Sequence, residues 1–258
     1  MFNGLIREVG RSLQLGGRRL KIASTLSPKI GDSVAVNGVC LTIVETGNRW
    51  FVVELSDETL QRVAVENYRP GKRLHLEPAL RFGEPIDGHL LQGHIDGIGV
   101  VERITPVKTG WELEIGVPSD LIPLLPPKGS VGVDGVSLTI AEVGKNSFKV
   151  AVIPHTFKET LIGEYTPGRR VNLETDLFVR YLDHLLATKY LSKSGEGVEP
   201  LQGRTGEKGR REEGKYTHSG NSTPSTPPLP GQKSPPFSTS SNPSTPDLNF
   251  YTSLLHWW

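Results

Sequence analysis

The phrase VNGVCLTIVE at residues 36–45 returns as VDGVSLTIAE at residues 133–142, 97 positions later. The same displacement keeps Gly47 on Gly144 and Phe51 on Phe148, and carries YRPGKRLHLEPAL (68–80) onto YTPGRRVNLETDL (165–177) without a gap. MFNGLI at the start matches LLQGHI (90–95) at a displacement of 89, so the second copy holds a longer loop, expected within ITPVKTGWE. Whatever one copy builds, this chain must build twice.

Each copy reads as a small β-structure. RRLKIA, SVAVNGVCLTIVE and RWFVVEL, with their counterparts WELEIGV, SVGVDGVSLTIAE and SFKVAVI, are short runs rich in Val, Ile, Leu and Thr, punctuated by Gly, Pro and Asn. About six such strands cannot leave long edges open, which favours closure. The predicted class is therefore all-β: two tandem six-stranded antiparallel barrels, over residues 1–88 and 89–176. SDETLQRVAV and PHTFKETLIG predict one short helix per barrel, with Ser56 or Thr156 as N-cap, plugging one barrel mouth.

Beyond the second copy, DLFVRYLDHLLATKYL places Leu177, Tyr181 and Leu185, then Phe178 and Leu182, at helical spacing. A helix over 177–192 follows, packed in a groove on its own barrels or against copies of itself. Residues 193–258, with stretches such as STPSTPPLP, bury too little apolar surface to offset chain entropy and are expected to be a disordered tail. A formal net charge of +1 points to no nucleic-acid partner. Arg7 and Glu8 interrupt any signal peptide and no run approaches ~20 apolar residues, so a soluble, cytoplasmic protein without a membrane partner is expected. The single cysteine, Cys40, leaves no internal disulfide.

MFNGLI, VNGVCLTI, ETL, GHLLQGHIDGIG, KGSVGVDGVSLTI and VNLETD, in this order and spacing, resemble the riboflavin synthase family over residues 1 to about 190. The resemblance implies two similar barrels, a C-terminal helix that builds a homotrimer, and conversion of two 6,7-dimethyl-8-ribityllumazine molecules into riboflavin and a pyrimidinedione. It implies no cofactor and no metal, a site shared between barrels of neighbouring subunits, and a lumazine synthase capsid as a further partner. A four-carbon unit passes between identical molecules held face to face, a physical reason for a duplicated binding fold.

Carried over position by position, the resemblance gives the first barrel Gly4, Leu5, Ile6, Cys40, Leu41, Thr42 and the run Glu54, Leu55, Ser56, Asp57, Glu58 and Thr59. It gives the second Gly93, His94, Ile95, Lys128, Ser137, Leu138, Thr139 and the run Val152, Ile153, Pro154, His155 and Thr156. The reaction needs a proton removed from the C7 methyl of one lumazine and a nucleophile added at C7 of the other. His94 is the candidate for proton transfer, because an imidazole titrates near ~6.5, and its copy in the first half is Leu5. Ser33 and Cys40 are the candidate nucleophiles or water-holders, with Ser137 and Thr139 positioning the second ring.

Other readings stand beside these. Cys40 suits an inert core thiol, Ser33 a turn, Asp176 a helix cap, Lys128 a solvated loop charge, and His89 a turn hydrogen bond. Asp87, His89, His94 and Asp96 alternate like metal ligands on a strand, though without a typical ligand spacing. Asn3 and Gln92 replace the Thr and Ser more common in the family. A non-catalytic lumazine- or flavin-binding protein of the same fold is the alternative to the enzyme.

Overall fold

Side-chain alternation decides where the strands lie. In β4 (Val39–Gly47), Val39, Leu41 and Ile43 are buried while Cys40 and Thr42 turn away from the core, the two-residue period of a half-buried strand. In the computed structural model, which describes residues 1–188, β4 joins β1 (Glu8–Gly16), β2 (Arg19–Ala23), β3 (Ser33–Val36), β5 (Trp50–Glu54) and β6 (Arg73–Pro78). They close an antiparallel barrel in the order β1-β2-β5-β4-β3-β6. The second copy supplies β7 (Gly97–Val107), β8 (Gly110–Gly116), β9 (Ser130–Val133), β10 (Val136–Val143), β11 (Ser147–Val152) and β12 (Arg170–Thr175), closed with the same neighbours.

The repeats share their irregularities too. Bulges fall between Ser12 and Gln14 and between Ile43 and Glu45 in the first barrel, and at the matching positions Val101/Arg103 and Ile140/Glu142 in the second. An extra residue bends a strand and raises its twist, which a ring of six strands requires. Each barrel fills with its own cluster: Leu20, Ile22, Phe51, Leu74 and Leu76 among the first, Leu113, Ile115, Phe148, Val171 and Leu173 among the second.

Asn37 and Gly38 (φ 45° and 80°) turn β3 into β4, and Asp134 and Gly135 (φ 44° and 83°) turn β9 into β10. Both central residues of such a hairpin need positive φ, which Asn-Gly and Asp-Gly supply. These two turns also meet. A Cβ on Gly38 would lie 2.7 Å from the Gly135 nitrogen, and one on Gly135 2.7 Å from the Gly38 nitrogen. The barrels, which belong to one compact unit, are joined there by a buried polar network. Asn37 Oδ1 accepts from the His75 N–H and Asp134 Oδ1 from the Asn172 N–H, both at 2.8 Å. Across the interface, the Ala64 N–H donates to Asn172 Oδ1 (2.9 Å) and the Leu161 N–H to His75 Nε2 (2.7 Å).

Two local expectations need correction. The helices are α1 (Asp57–Arg62) and α2 (Pro154–Glu159); Ser56 caps α1 through its side chain, but Ile153 is the N-cap of α2 and Thr156 lies inside it. Proline at the first helical position sets that start, since it lacks the N–H that would otherwise need a partner. Neither helix is fully buried, but each leans on a core, Leu60 of α1 on the first and Phe157 of α2 on the second, and Val63 and Tyr68, and Leu161, Ile162 and Tyr165, enter the cores from the segments that follow. Half of the insertion in the second copy falls within ITPVKTGWE, as paired strand rather than as a loop. It lengthens the hairpin, with β7 and β8 of 11 and 7 residues against 9 and 5 for β1 and β2, and adds a 3₁₀ turn at Ile122–Leu124.

The third helix, α3 (Leu177–Leu186), is capped by Asp176, whose Oδ1 accepts from the Phe178 N–H at 2.8 Å. The end of the helix expected over 177–192 and the whole tail expected over 193–258 lie outside the described residues. No helix among the described residues is long and apolar enough to cross a membrane.

Candidate functional site

The segments that open the two repeats cross over each other. Phe2 and Leu91 pair as an antiparallel bridge, each N–H donating to the other's carbonyl at 2.8 and 3.0 Å. Past that bridge the first segment runs to the second barrel, where the Ser137 N–H donates to the Gly4 carbonyl (2.9 Å) and Ile6 packs on the second core. The second segment runs to the first barrel, where the Cys40 N–H donates to the Gly93 carbonyl (2.9 Å) and Ile95 packs on the first core. The grouping expected from sequence is therefore exchanged. Residues 93–95 belong with Cys40, and residues 4–6 with Ser137.

Glycine is required at both crossings. Gly93 (φ +79°) lies so close that a Cβ would stand 2.5 Å from the Cys40 nitrogen and Cβ, and Gly4 (φ +75°) so close that one would stand 2.6 Å from those of Ser137. Two buried glutamates hold the segments there. Glu77 accepts from the Asn3 and Gly4 N–H groups at 2.8 and 3.1 Å, and Glu174 from those of Gln92 and Gly93 at 2.7 and 2.9 Å. Burial pushes each carboxyl up to about 7, against the pull of these N–H donors. The sequence reading missed both glutamates, although LHLEP and VNLET place them at equivalent positions of the repeat.

The crossing creates a cleft of about 400 Å³ on the outer face of the first barrel. Val39 and Cys40 of β4 form one wall, Glu58, Thr59, Arg62 and Val63 of the α1 region another, and Gly93, His94, Ile95 and Asp96 the third. Five expected residues thus meet with His94: Cys40, Glu58, Thr59, Gly93 and Ile95. Arg62, which pairs with Glu58 at 3.2 Å, was not anticipated, although the i,i+4 spacing of these opposite charges is visible in the sequence.

Other expected residues lie elsewhere. Leu41, Leu55, Leu138 and Val152 are core side chains. Thr42 is exposed directly opposite Ser33, its partner across β3–β4, and Thr139 faces Ser130 in the same way. Ser33 lines a separate cleft of about 410 Å³ with Asp32, Pro78 and Leu80. Glu54, Ser56, Asp57, Ile153, Pro154 and His155 are exposed, with Thr156 and Leu5 half-buried. Lys128 occupies the left-handed region (φ 65°) before β9, where the first copy has Gly31 (φ 92°).

On the second barrel's wall, Ser137 Oγ lies 2.7 Å from Nδ1 of the buried His89, whose pKa burial lowers. His89 and His94 therefore sit against different barrels. Among the described residues no group of three or more His, Cys, Asp and Glu side chains could hold a metal ion. Trp111 stacks on Phe157 of α2, ring centroids 3.7 Å apart and nearly parallel.

Residues 3–79 and 92–176 each match the lumazine binding domain family. The chain is 38% identical over 198 residues to the riboflavin synthase of Photobacterium phosphoreum, covering 72% of this chain and 89% of that one. It is 33% identical over 193 residues to that of Bacillus subtilis, covering 72% and 90%. Among solved structures, LumP complexed with riboflavin superposes with a TM-score of 0.62 at 24% identity, over 68% of this chain and 99% of that one, a likeness of fold.

Proposed function

The chain belongs to the lumazine-binding riboflavin synthase family, and on that premise we propose that it converts two 6,7-dimethyl-8-ribityllumazine molecules into riboflavin and 5-amino-6-ribitylamino-pyrimidinedione. The observation that carries this reading is the crossing itself. It sets His94 and Cys40, a proton-transfer group and a thiol 54 positions apart, in one cleft beside the hydrogen-bonding groups of Thr59, Glu58 and Arg62. A ribityl chain and a ring of alternating donors and acceptors suit such a lining. The equivalent wall of the second barrel, Ser137 with Thr139, has Leu5 where the first has His94, so two identical ligands meet unlike groups.

His94 takes the proton from the C7 methyl of one lumazine as general base. Cys40, or Ser33 through a bound water, supplies the nucleophile that activates the other ring at C7. In the site shared between neighbouring subunits that this reading includes, Ser137 and Thr139 of the next subunit hold that second ring, Ser137 in a hydroxyl orientation set by His89. The reaction is redox-neutral between two copies of one substrate, so the reading includes no cofactor.

The active form in this reading is a cytoplasmic homotrimer. Supporting it, α3 exposes Phe178, Tyr181, Leu182, Leu185 and Leu186 at 46–63%, an apolar stripe that a second copy of the chain would cover. A lumazine synthase capsid as an outer partner rests on the family resemblance. Purified full-length protein incubated with the lumazine and no additive is expected to develop riboflavin fluorescence in a 2:1 ratio of substrate to product. Tight binding of the lumazine without turnover would instead make the protein a carrier.

A further inference from the structure

Segment 92–96, which presents His94, is held at both ends by one side chain from α3. Arg180 donates through Nη1 to Asp96 Oδ1 at 3.1 Å, and through Nη2 to Gln92 Oε1 at 3.1 Å and Glu174 Oε1 at 3.3 Å. Gln92 and Asp96 flank Gly93, His94 and Ile95, while Glu174 is the carboxylate that already binds the Gln92 and Gly93 N–H groups. Asp96 is itself fixed, its Oδ2 accepting from the Thr175 N–H and hydroxyl, both at 2.7 Å.

The guanidinium is suited to this task. It is planar, always charged and forked, so one group reaches three acceptors in a fixed geometry that an ammonium cannot reproduce. The ion pairs are sheltered: the Arg180 and Asp96 side chains are 19% and 17% exposed and that of Glu174 is 3% exposed. Sheltered pairs escape the screening that makes surface pairs weak.

The other half of the molecule lacks the device. Asn3 and Gly4 lie on Glu77 as Gln92 and Gly93 lie on Glu174, but among the described residues no cation comes within ion-pair distance of Glu77, Arg7 acting on it only as a more distant charge, and the Asn3 amide turns to the Pro85 carbonyl and the Leu5 N–H. The segment ending in His94 is clamped to α3, whereas the segment ending in Leu5 is not.

We propose that Arg180 is a positioning residue for His94, making the seating of α3 a condition for presenting the imidazole to the cleft. This rests on the functional reading above for its catalytic consequence, but not for the clamp itself. Alpha-helix α3 then contributes to the site in its own subunit, apart from any role in assembly.

The test compares full-length wild type with R180Q and R180K by amide hydrogen exchange, steady-state kinetics with the lumazine, and size-exclusion chromatography. R180Q is expected to speed exchange at Gln92 and Gly93 by roughly tenfold or more while leaving Asn3 and Gly4 unchanged. It is also expected to lower kcat by about 10- to 100-fold with KM within about threefold, as misplacement of a reacting group does. R180K, keeping the charge but losing the fork, should recover part of both effects. Unchanged exchange at 92–93, equal loosening at 3–4, or a kcat loss that tracks subunit dissociation alone would overturn the proposal. If wild type itself binds the lumazine without turning it over, the functional reading fails, and the exchange contrast between the two segments still decides the clamp.

Discussion

His94 and Leu5 occupy equivalent places in the two repeats, one beside Cys40 and the other beside Ser137, so the chemistry of the two walls differs most sharply at this pair. Replacing His94 with glutamine keeps a polar group of similar reach but removes a base. Turnover is expected to fall on the order of 10² to 10⁴-fold with lumazine affinity nearly unchanged. Steady-state rates beside a binding titration check this, and a matching loss of affinity would make His94 a binding residue instead. Gly93 offers a second residue-level test. A methyl there has the Cys40 backbone at 2.5 Å and a φ of +79° to tolerate, so Gly93→Ala is expected to cost about 1–3 kcal/mol in denaturant unfolding and to displace the neighbouring histidine. Wild-type stability and turnover in that variant would show that the crossing relaxes freely.

Strands and tight turns are where the sequence speaks most clearly, because their rules are local. Alternation in VCLTI sorts core from surface within five residues, and Asn-Gly or Asp-Gly names its own turn. The crossing of residues 1–6 and 90–95 has no such signature. MFNGLI reads the same whether it lies on its own barrel or on the other, and the choice is made by Glu77 and Ser137, which are more than 70 residues away. For the same reason the glutamates of LHLEP and VNLET look like ordinary strand residues until their N–H partners are seen. The α2 start was obscured differently, by a proline that displaced a hydroxyl cap. Element α3 carries the clearest functional expectation at this scale. Ending the chain at Asp176 removes both its apolar stripe and Arg180, and should abolish turnover while each barrel, whose core excludes α3, still binds one ligand. Fluorescence titration with the lumazine beside an activity assay reads both; a truncated monomer with full activity would contradict the shared, α3-dependent site.

For the molecule as a whole, the barrels keep separate cores, and beside the apolar contacts of the crossing segments they are joined by a buried polar network, which makes their union sensitive to protons. His75 is fully enclosed between the barrels, with Nε2 accepting from the Leu161 N–H and Nδ1 at 2.9 Å from the Asp134 carbonyl, which fixes a neutral ring. Burial first, with the charges of Arg169 and Arg73 adding to it, lowers its pKa from 6.5 to about 4. A folded-state pKa below the unfolded one means that the unfolded chain takes up the proton first. The contribution of His75 is therefore present above pH 6.5 and is lost as pH falls from there toward 4, by up to roughly 3 kcal/mol in all. Glu77 and Glu174 act in the opposite sense, since carboxyls raised to about 7 favour folding at low pH and lose that advantage as pH rises through 7. The raw stability curve mixes both, so the measurement must be a difference. Asn172, the repeat's counterpart of His75, already accepts the Ala64 N–H through an amide oxygen, so asparagine can do the same work at position 75 without titrating. His75→Asn should unfold at the same denaturant midpoint as wild type, or somewhat lower, at pH 7.5, and gain on it steadily as pH is lowered through 6 and 5. Parallel curves for the two proteins across that range would mean that His75 does not carry the coupling between protonation and the joining of the barrels.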